Sequence, residues 1–285
     1  MIRVAQQPAH LVGDGAHELR IVPPGRWGRF DLRELWTSRE LLYFMAKREI
    51  QIRYKQSFFG VAWAVLQPLA LTGLFTLFFG SKISTGGVPY PVFALAGLAP
   101  WIFVSAATSQ GALSLVGDAN LLSKVYFPRL VLPVAKTISL LLDLAIALVV
   151  LFVFGAAYGV SVGADALAIP GFLLLAVATA LGLGTFLAAV NVKYRDVAVV
   201  IPLLVMIWLF ATPVIYSGTA VGGWAQYVYA INPMVSVIGG IRWAYLGTAA
   251  PSGLGIAVSV ATALVFLVGG IQYFRRTEAF FADFV

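Results

Sequence analysis

Asp143 holds the least ordinary chemical position in this chain. It stands inside SLLLDLAIALVV, residues 139–150, an apolar run in which a carboxylate is costly and commonly functional. In that place it would serve a proton relay, pair with a neighbouring helix, or face an aqueous cavity. Lys136 lies two turns away on the same predicted helix, too far for a direct pair, and a proton-coupled carrier usually needs more than one buried ionisable group. The two histidines, His10 and His17, both fall in the N-terminal tail. No glycine-rich run ends in Lys-Ser or Lys-Thr, so the chain forms no phosphate-cradling loop. No Asp-x-Asp, His-x-Glu or paired-carboxylate spacing marks a sugar-nucleotide, zinc or acid/base site. Gly182 and Gly184 begin a dinucleotide fingerprint, but Leu187 stands at its third position. They lie in an apolar span, where close helix packing explains them better. The expected catalytic and metal inventories are therefore both empty.

A second chemical concentration is Gly117–Pro133, GDANLLSKVYFPRLVLP. Asp118, Asn120, Lys124 and Arg129 cannot sit cheaply in hydrocarbon, so the chain must surface between two long apolar blocks. Asp118 or Asn120 can cap a short helix here, and Pro128 can stop it.

The elements that must position these residues follow from composition. Apolar residues make up 60% of the 285 and charged residues 11%, with a mean hydropathy of +0.91. Soluble domains carry about 45–50% and about 25%. Six blocks are long enough to span a bilayer: Phe58–Gly80, Pro91–Val116, Leu130–Gly155, Ala168–Val190, Val197–Tyr216 and Gly253–Phe274. The first has 23 residues, about 35 Å at ~1.5 Å each, against roughly 30 Å of hydrocarbon. The fold class expected is all-α, a polytopic membrane protein with six transmembrane helices. The first apolar block follows a long charged leader, unlike a secretory signal peptide. Cysteine is absent, which excludes a disulfide framework and thiolate metal sites.

With a cytoplasmic N-terminus, six spans put both termini inside. Lys47, Arg48, Arg53, Lys55, Lys124, Arg129, Lys136, Lys193, Arg195, Arg275 and Arg276 then flank the inner ends, against Lys82 and Arg242 outside. The net charge of +7 reads as topology and attraction to membrane lipids, with no nucleic acid as partner.

Residues 1–36 read as a loosely ordered cytoplasmic tail. Residues 37–57 read as an amphipathic interfacial helix, opened by Thr37 and Glu40 at capping-box spacing. In it Leu41, Leu42, Met45 and Ile52 alternate with Lys47, Arg48, Arg53 and Lys55. A solvated helix packed on the protein is the alternative. Residues 58–285 read as a six-span transmembrane domain. Within it, residues 218–251 are too polar for a span and too rich in Trp and Tyr for an ordinary loop. Pro233 and the pair Gly239-Gly240 are expected to break this stretch into short, external re-entrant helices.

Several motifs, in order, now carry a resemblance. They are Arg53-Tyr54-Lys55-Gln56-Ser57 with Gly60, Trp63 and Gln67-Pro68; Pro100-Trp101-Ile102-Phe103; and Asn120 through Arg129. Asn191-Val192-Lys193-Tyr194-Arg195-Asp196, Thr212-Pro213-Val214-Ile215-Tyr216, Asn232-Pro233-Met234 and Arg242-Trp243 complete the set. From about Leu41 onward the chain resembles the transmembrane permease subunit of ATP-binding cassette exporters for polysaccharides of the O-antigen or teichoic acid type. The tail before Thr37 matches nothing recognisable.

The resemblance implies a permease subunit in the cell inner membrane, not an enzyme, that exports a lipid-linked polysaccharide. It implies a second copy of the permease and two copies of a cognate ATPase, with ATP and Mg bound on that partner and no cofactor here. A permease for lipids or drugs, or a membrane-embedded glycan enzyme, is the alternative. Residues 117–130 become the coupling segment that docks on the ATPase, with Asn120, Leu121, Leu122, Lys124, Val125, Tyr126, Phe127 and Arg129 as its contacts. A loop anchored to lipid heads is the plainer account. Lys193, Arg195 and Asp196 would contact the ATPase as well, or cap adjoining helices. Arg48, Arg53 and Lys55 would attract the substrate diphosphate at its entry, or anchor phospholipid. Trp101, Phe103, Tyr216, Trp224, Tyr227, Tyr229, Trp243 and Tyr245 are candidates for lining a glycan channel, and interfacial aromatic belts use the same residue types.

Overall fold

The computed structural model describes residues 36–55, 58–118, 121, 127–218 and 225–278, apart from the side chains of residues 226 and 227. Every regular element among them is helical. In chain order they are α1 (Arg39–Lys55), α2 (Ala62–Phe79), α3 (Tyr90–Gly117) and α4 (Val131–Ala157). A 3-10 turn, Ala164–Ala168, leads into α5 (Ile169–Lys193), followed by α6 (Val197–Phe210), α7 (Ala225–Tyr229), α8 (Pro233–Leu246) and α9 (Gly253–Thr277). Helices α2, α3, α4, α5 with its leading turn, and α9 are long and apolar enough to cross a membrane. The chain is a helical multi-pass membrane protein.

The block expected at Val197–Tyr216 behaves differently. It yields α6, an apolar helix of 14 residues, about 21 Å long against roughly 30 Å of hydrocarbon. Beyond Phe210 the chain turns from Ala211 to Tyr216.

Helix α3 is the axis of the bundle, packing against α2, α4, α5 and α8. From Val92 to Leu98 its side chains are almost completely enclosed. Close approach comes from residues without a side chain: a Cβ at Gly111 would lie 3.2 Å from Gly184 Cα, and one at Gly182 would lie 2.5 Å from the Leu267 nitrogen. The dinucleotide-like pair Gly182 and Gly184 is thus a packing device that brings α5 against α3 and α9.

Two apolar clusters divide the bundle lengthwise. One surrounds the starts of α3 and α5, together with α8. The other joins the ends of α3, α5 and α9 to Phe127, Leu130 and the start of α4. Leu41, Leu42 and Met45 of α1 pack on this second cluster, so α1 lies at the end where the chain leaves α3, α5 and α9.

At the opposite end, α8 begins with an Asn232 cap whose side chain accepts from the Met234 amide at 3.1 Å, and Pro233 follows in the first turn. Gly247, at φ +66°, ends the helix in the left-handed region that glycine tolerates. Pro233 therefore separates α7 from α8 as expected, whereas Gly239-Gly240 does not interrupt α8. A Cβ at Gly240 would strike the Phe172 ring of α5. The paired glycines admit a neighbour; they do not break the helix.

Arg242 of α8 is 3% exposed. Its guanidinium donates to the Phe93 carbonyl at 3.1 Å, to Pro213 at 2.7 Å, to Tyr216 at 3.0 Å and to Val214 at 2.6 Å. It also lies 3.5 Å from the Phe93 ring centre. A charge so deeply buried is tolerable only when its donors are used. Here they fasten the 211–216 turn between α3 and α8. Gly97 leaves the room, because a Cβ there would sit 2.6 Å from Arg242 Nη2. Arg242→Met should strand the Pro213, Val214 and Tyr216 carbonyls at about 1–3 kcal/mol for each one left buried, and lower the thermal unfolding midpoint in nanodiscs sharply. Arg242→Lys should recover only part of the loss, since an ammonium cannot fork to the same acceptors.

Candidate functional site

The polar residues that the apolar blocks had to place converge where α1 meets α4. Arg53 Nη1 and Asp143 Oδ2 form an ion pair at 2.5 Å. Tyr54 donates to the other carboxylate oxygen of Asp143. Arg53 Nη2 donates to Gln110 Oε1 of α3 at 3.1 Å and to Ser139 Oγ of α4 at 3.2 Å. Asp143 thus resolves its burial through a partner outside its own helix. An unpaired charge at the centre of a span costs roughly 2.5–3.5 kcal/mol, so this contact decides whether α4 can carry the residue at all.

Toward the second apolar cluster the pattern repeats with reversed sign. Lys136 Nζ lies 2.6 Å from Glu49 and 3.6 Å from Asp118, and Arg48 reaches Asp118 at 3.1 Å. Arg48 is half exposed, so its own pair contributes at most about 1 kcal/mol. The inner contacts are more enclosed. Glu49 and Arg53 are one turn apart on α1, and Lys136, Ser139 and Asp143 share one face of α4. The α1 helix offers minus then plus, while α4 offers plus then minus.

Arg53, Tyr54, Gln110 and Asp143 border a cavity of about 270 Å³ between α2, α3 and α4. Its other walls include Trp63, Gln67, Ile102, Phe103, Leu140 and Leu144. A wider apolar groove of about 590 Å³ lies at the other end, bordered by Trp208, Tyr229, Ile231, Pro233 and Phe266.

Of the expected entry residues, Arg48 and Arg53 join the ionic cluster, while Lys55 is exposed at the end of α1. Of the expected coupling residues, Asn120, Leu122, Lys124, Val125 and Tyr126 lie outside the described residues. Leu121 packs partly on the second cluster, and Phe127 is buried at 7% exposure within it. Phe127 anchors the segment, so a charge placed there would disturb the fold. Arg129 is held at the end of α9: its amide donates to Glu278 Oε1 at 3.2 Å and its Nη1 to the Glu278 carbonyl at 2.7 Å. Lys193, Arg195 and Asp196 are exposed. Asp196 precedes α6 without making a side-chain capping bond, which removes capping of α6 as its explanation.

The aromatic candidates separate by burial. Trp101 is buried with its ring edge-on to Trp208 at 5.2 Å, and Tyr245 is buried against Phe152 at 4.8 Å. Phe103 is 2% exposed on the cavity wall. Tyr216 and Tyr229 share a 2.7 Å hydrogen bond between their hydroxyls, and Trp243 is half-buried. Trp224 and the side chain of Tyr227 lie outside the described residues. Sequence reasoning overlooked Glu49, Gln110 and Ser139. Their signal was available in the matched charge order of two helices and a lone amide inside an apolar span.

The family described as ABC-2 type transporter matches residues 40–246. An O-antigen export system permease protein RfbA of Myxococcus xanthus is 30% identical over 254 residues, covering 88% of this chain and 98% of the relative. A protein of the same name from Klebsiella pneumoniae is 23% identical over 245 residues, covering 86% and 94%.

The pairing across α1 and α4 is measurable by a double-mutant cycle. Arg53→Met and Asp143→Leu should each destabilise the protein, and the double variant should lose less than the two losses added. The coupling expected is on the order of 1–3 kcal/mol from unfolding midpoints in nanodiscs.

Proposed function

The chain belongs to the ABC-2 type transporter family, and from that premise we propose that it is the permease subunit of an exporter for a lipid-linked cell-surface polysaccharide of the O-antigen kind. The observation that carries this is the relative from Myxococcus xanthus, aligned over 98% of its length and named as an O-antigen export permease. Without a nucleotide-binding loop, the permease needs a separate ATPase, with ATP and Mg bound on that subunit. The working unit is two permeases with two ATPases in the inner membrane.

The orientation places α1, residues 117–130 and the α5–α6 connection on the cytoplasmic face, with both termini there. The basic residues at this end support that choice. The sixth crossing is made by α6 together with the Arg242-fastened turn, and α7 and α8 form the external re-entrant pair. The α1 helix lies at the cytoplasmic interface, with exposed Tyr43, Phe44 and Ile52 directed away from the bundle. Lys55 and the half-exposed Arg48 remain the entry cations.

In the mechanism, ATP-driven closure of the ATPases displaces the coupling segment. That segment is tied to the bundle by buried Phe127, by Arg129 on α9, and by Asp118 next to Lys136 and Arg48. A push on it therefore acts on α1, α4 and α9 together. Exposed Lys193, Arg195 and Asp196 supply a second contact with the ATPase. Tyr216, Tyr229 and Trp243, less enclosed than Trp101 and Tyr245, are the stronger channel-lining candidates within the external region.

The test is co-purification with the cognate ATPase in nanodiscs. Lipid-linked glycan should stimulate ATP turnover, and Lys193→Glu with Arg195→Glu should weaken ATPase association about tenfold, or ~1.4 kcal/mol, with the unfolding midpoint unchanged. Sugar transfer catalysed by the isolated chain would overturn the reading.

A further inference from the structure

The cavity between α2, α3 and α4 has a chemistry that exporter architecture alone does not require. Its polar wall holds Arg53, Asp143, Gln110 and Gln67. Arg53 is a poor receptor for a phosphate, because the Asp143 carboxylate already lies 2.5 Å from its guanidinium. An arriving anion would meet that negative charge at the same place. As a unit the pair is neutral, and it offers closely spaced donors and acceptors. Gln110 and Gln67 add two amides, each able to donate and accept. Gln67 has no hydrogen-bond partner among the described residues although it stands inside the apolar helix α2. Trp63, one turn before it, is 52% exposed and contributes an aromatic wall.

Neutral charge, adjacent donors and acceptors, and an aromatic face together suit a hydroxylated ring with apolar C–H faces. Size agrees. A volume of about 270 Å³ lies at the small end of ligand pockets, which run roughly 300–1,000 Å³, and suits a single ring. Small-molecule sites of this type combine apolar walls with a few convergent polar groups.

We infer that this cavity, built on Arg53, Asp143, Gln110, Gln67 and Trp63, is a monosaccharide subsite that recognises a single sugar of the lipid-linked substrate. The inference rests on the exporter reading above and adds the part of the substrate that is read. The Arg53–Asp143 pair then has two duties: it neutralises Asp143 within the bundle and presents a neutral polar surface to hydroxyl groups. An acyl chain would leave Gln67 and the ion pair facing hydrocarbon.

The test compares radiolabelled polyprenyl diphosphate carrying one glucose, galactose or N-acetylglucosamine with the bare polyprenyl diphosphate. Binding is measured on the full chain in nanodiscs free of glycoside detergent. At least one sugar-bearing lipid should bind about tenfold tighter than the bare lipid. That ratio should fall to near one in Gln67→Leu and in Trp63→Ala. Both residues are exposed, and their unfolding midpoints provide a check on folding. A ratio near one for all three sugars in the unaltered protein would overturn the inference. So would a ratio preserved in both variants. Failure of every lipid to bind, bare lipid included, would overturn the exporter reading and this inference with it.

Discussion

A charge within a bilayer must be neutralised where it stands, and in this protein that requirement joins the N-terminal helix to the bundle. Asp143 would be a liability on an isolated α4. It becomes tolerable because Arg53 and Tyr54 reach it from α1, and because Gln110 and Ser139 accept from Nη2 of the same guanidinium. The position of α1, the cavity beside it, and the burial of Glu49 against Lys136 follow from the same constraint. So does the link to Asp118, where the chain leaves α3.

The opposite end obeys the same rule with a different solution. Arg242 has no carboxylate partner among the described residues; it is satisfied by three carbonyls of the 211–216 turn and by the Phe93 carbonyl in the first turn of α3. Asn232 plays the neutral counterpart. It caps α8, accepts from Trp208 Nε1 at 3.0 Å, and donates to Thr212 Oγ1 at 2.8 Å and to the Ala211 carbonyl at 3.2 Å. Irregular backbone at 211–216 is affordable in an apolar surrounding only because these side chains satisfy it. One end of the bundle is thus secured by ion pairs between helices, and the other by side chains bonded to a turn.

Much of this was legible in the sequence. Long apolar blocks marked five helices within a few residues, because hydrocarbon thickness imposes a minimum length. Gly182 and Gly184 read correctly as packing residues, since small side chains in a span have few other uses. The length of α6 was not legible: hydropathy continues through Thr212-Pro213-Val214-Ile215-Tyr216 although the helix stops at Phe210. Hydropathy measures transfer into lipid and is blind to an arginine arriving from residue 242. Gly239-Gly240 misled for a related reason, because glycine serves close approach as readily as interruption, and only the presence of Phe172 decides. The ionic cluster was half visible. Asp143 stood out at once, but its partner lay 90 positions away, beyond any local periodicity. Phe127 entered the docking segment through the resemblance alone, and its burial in the second apolar cluster was not visible in the local sequence.

On the proposed exporter role, the chain passes a glycan outward with energy supplied by a partner ATPase. Its most direct measurement is vectorial movement in inside-out vesicles that hold the permease and its ATPase. Lipid-linked glycan added outside such vesicles should become protected from an added glycosidase only when ATP and both subunits are present. Protection without ATP or without the ATPase would contradict the account, as would vesicles that move a fluorescent phospholipid while leaving the glycan fully digestible.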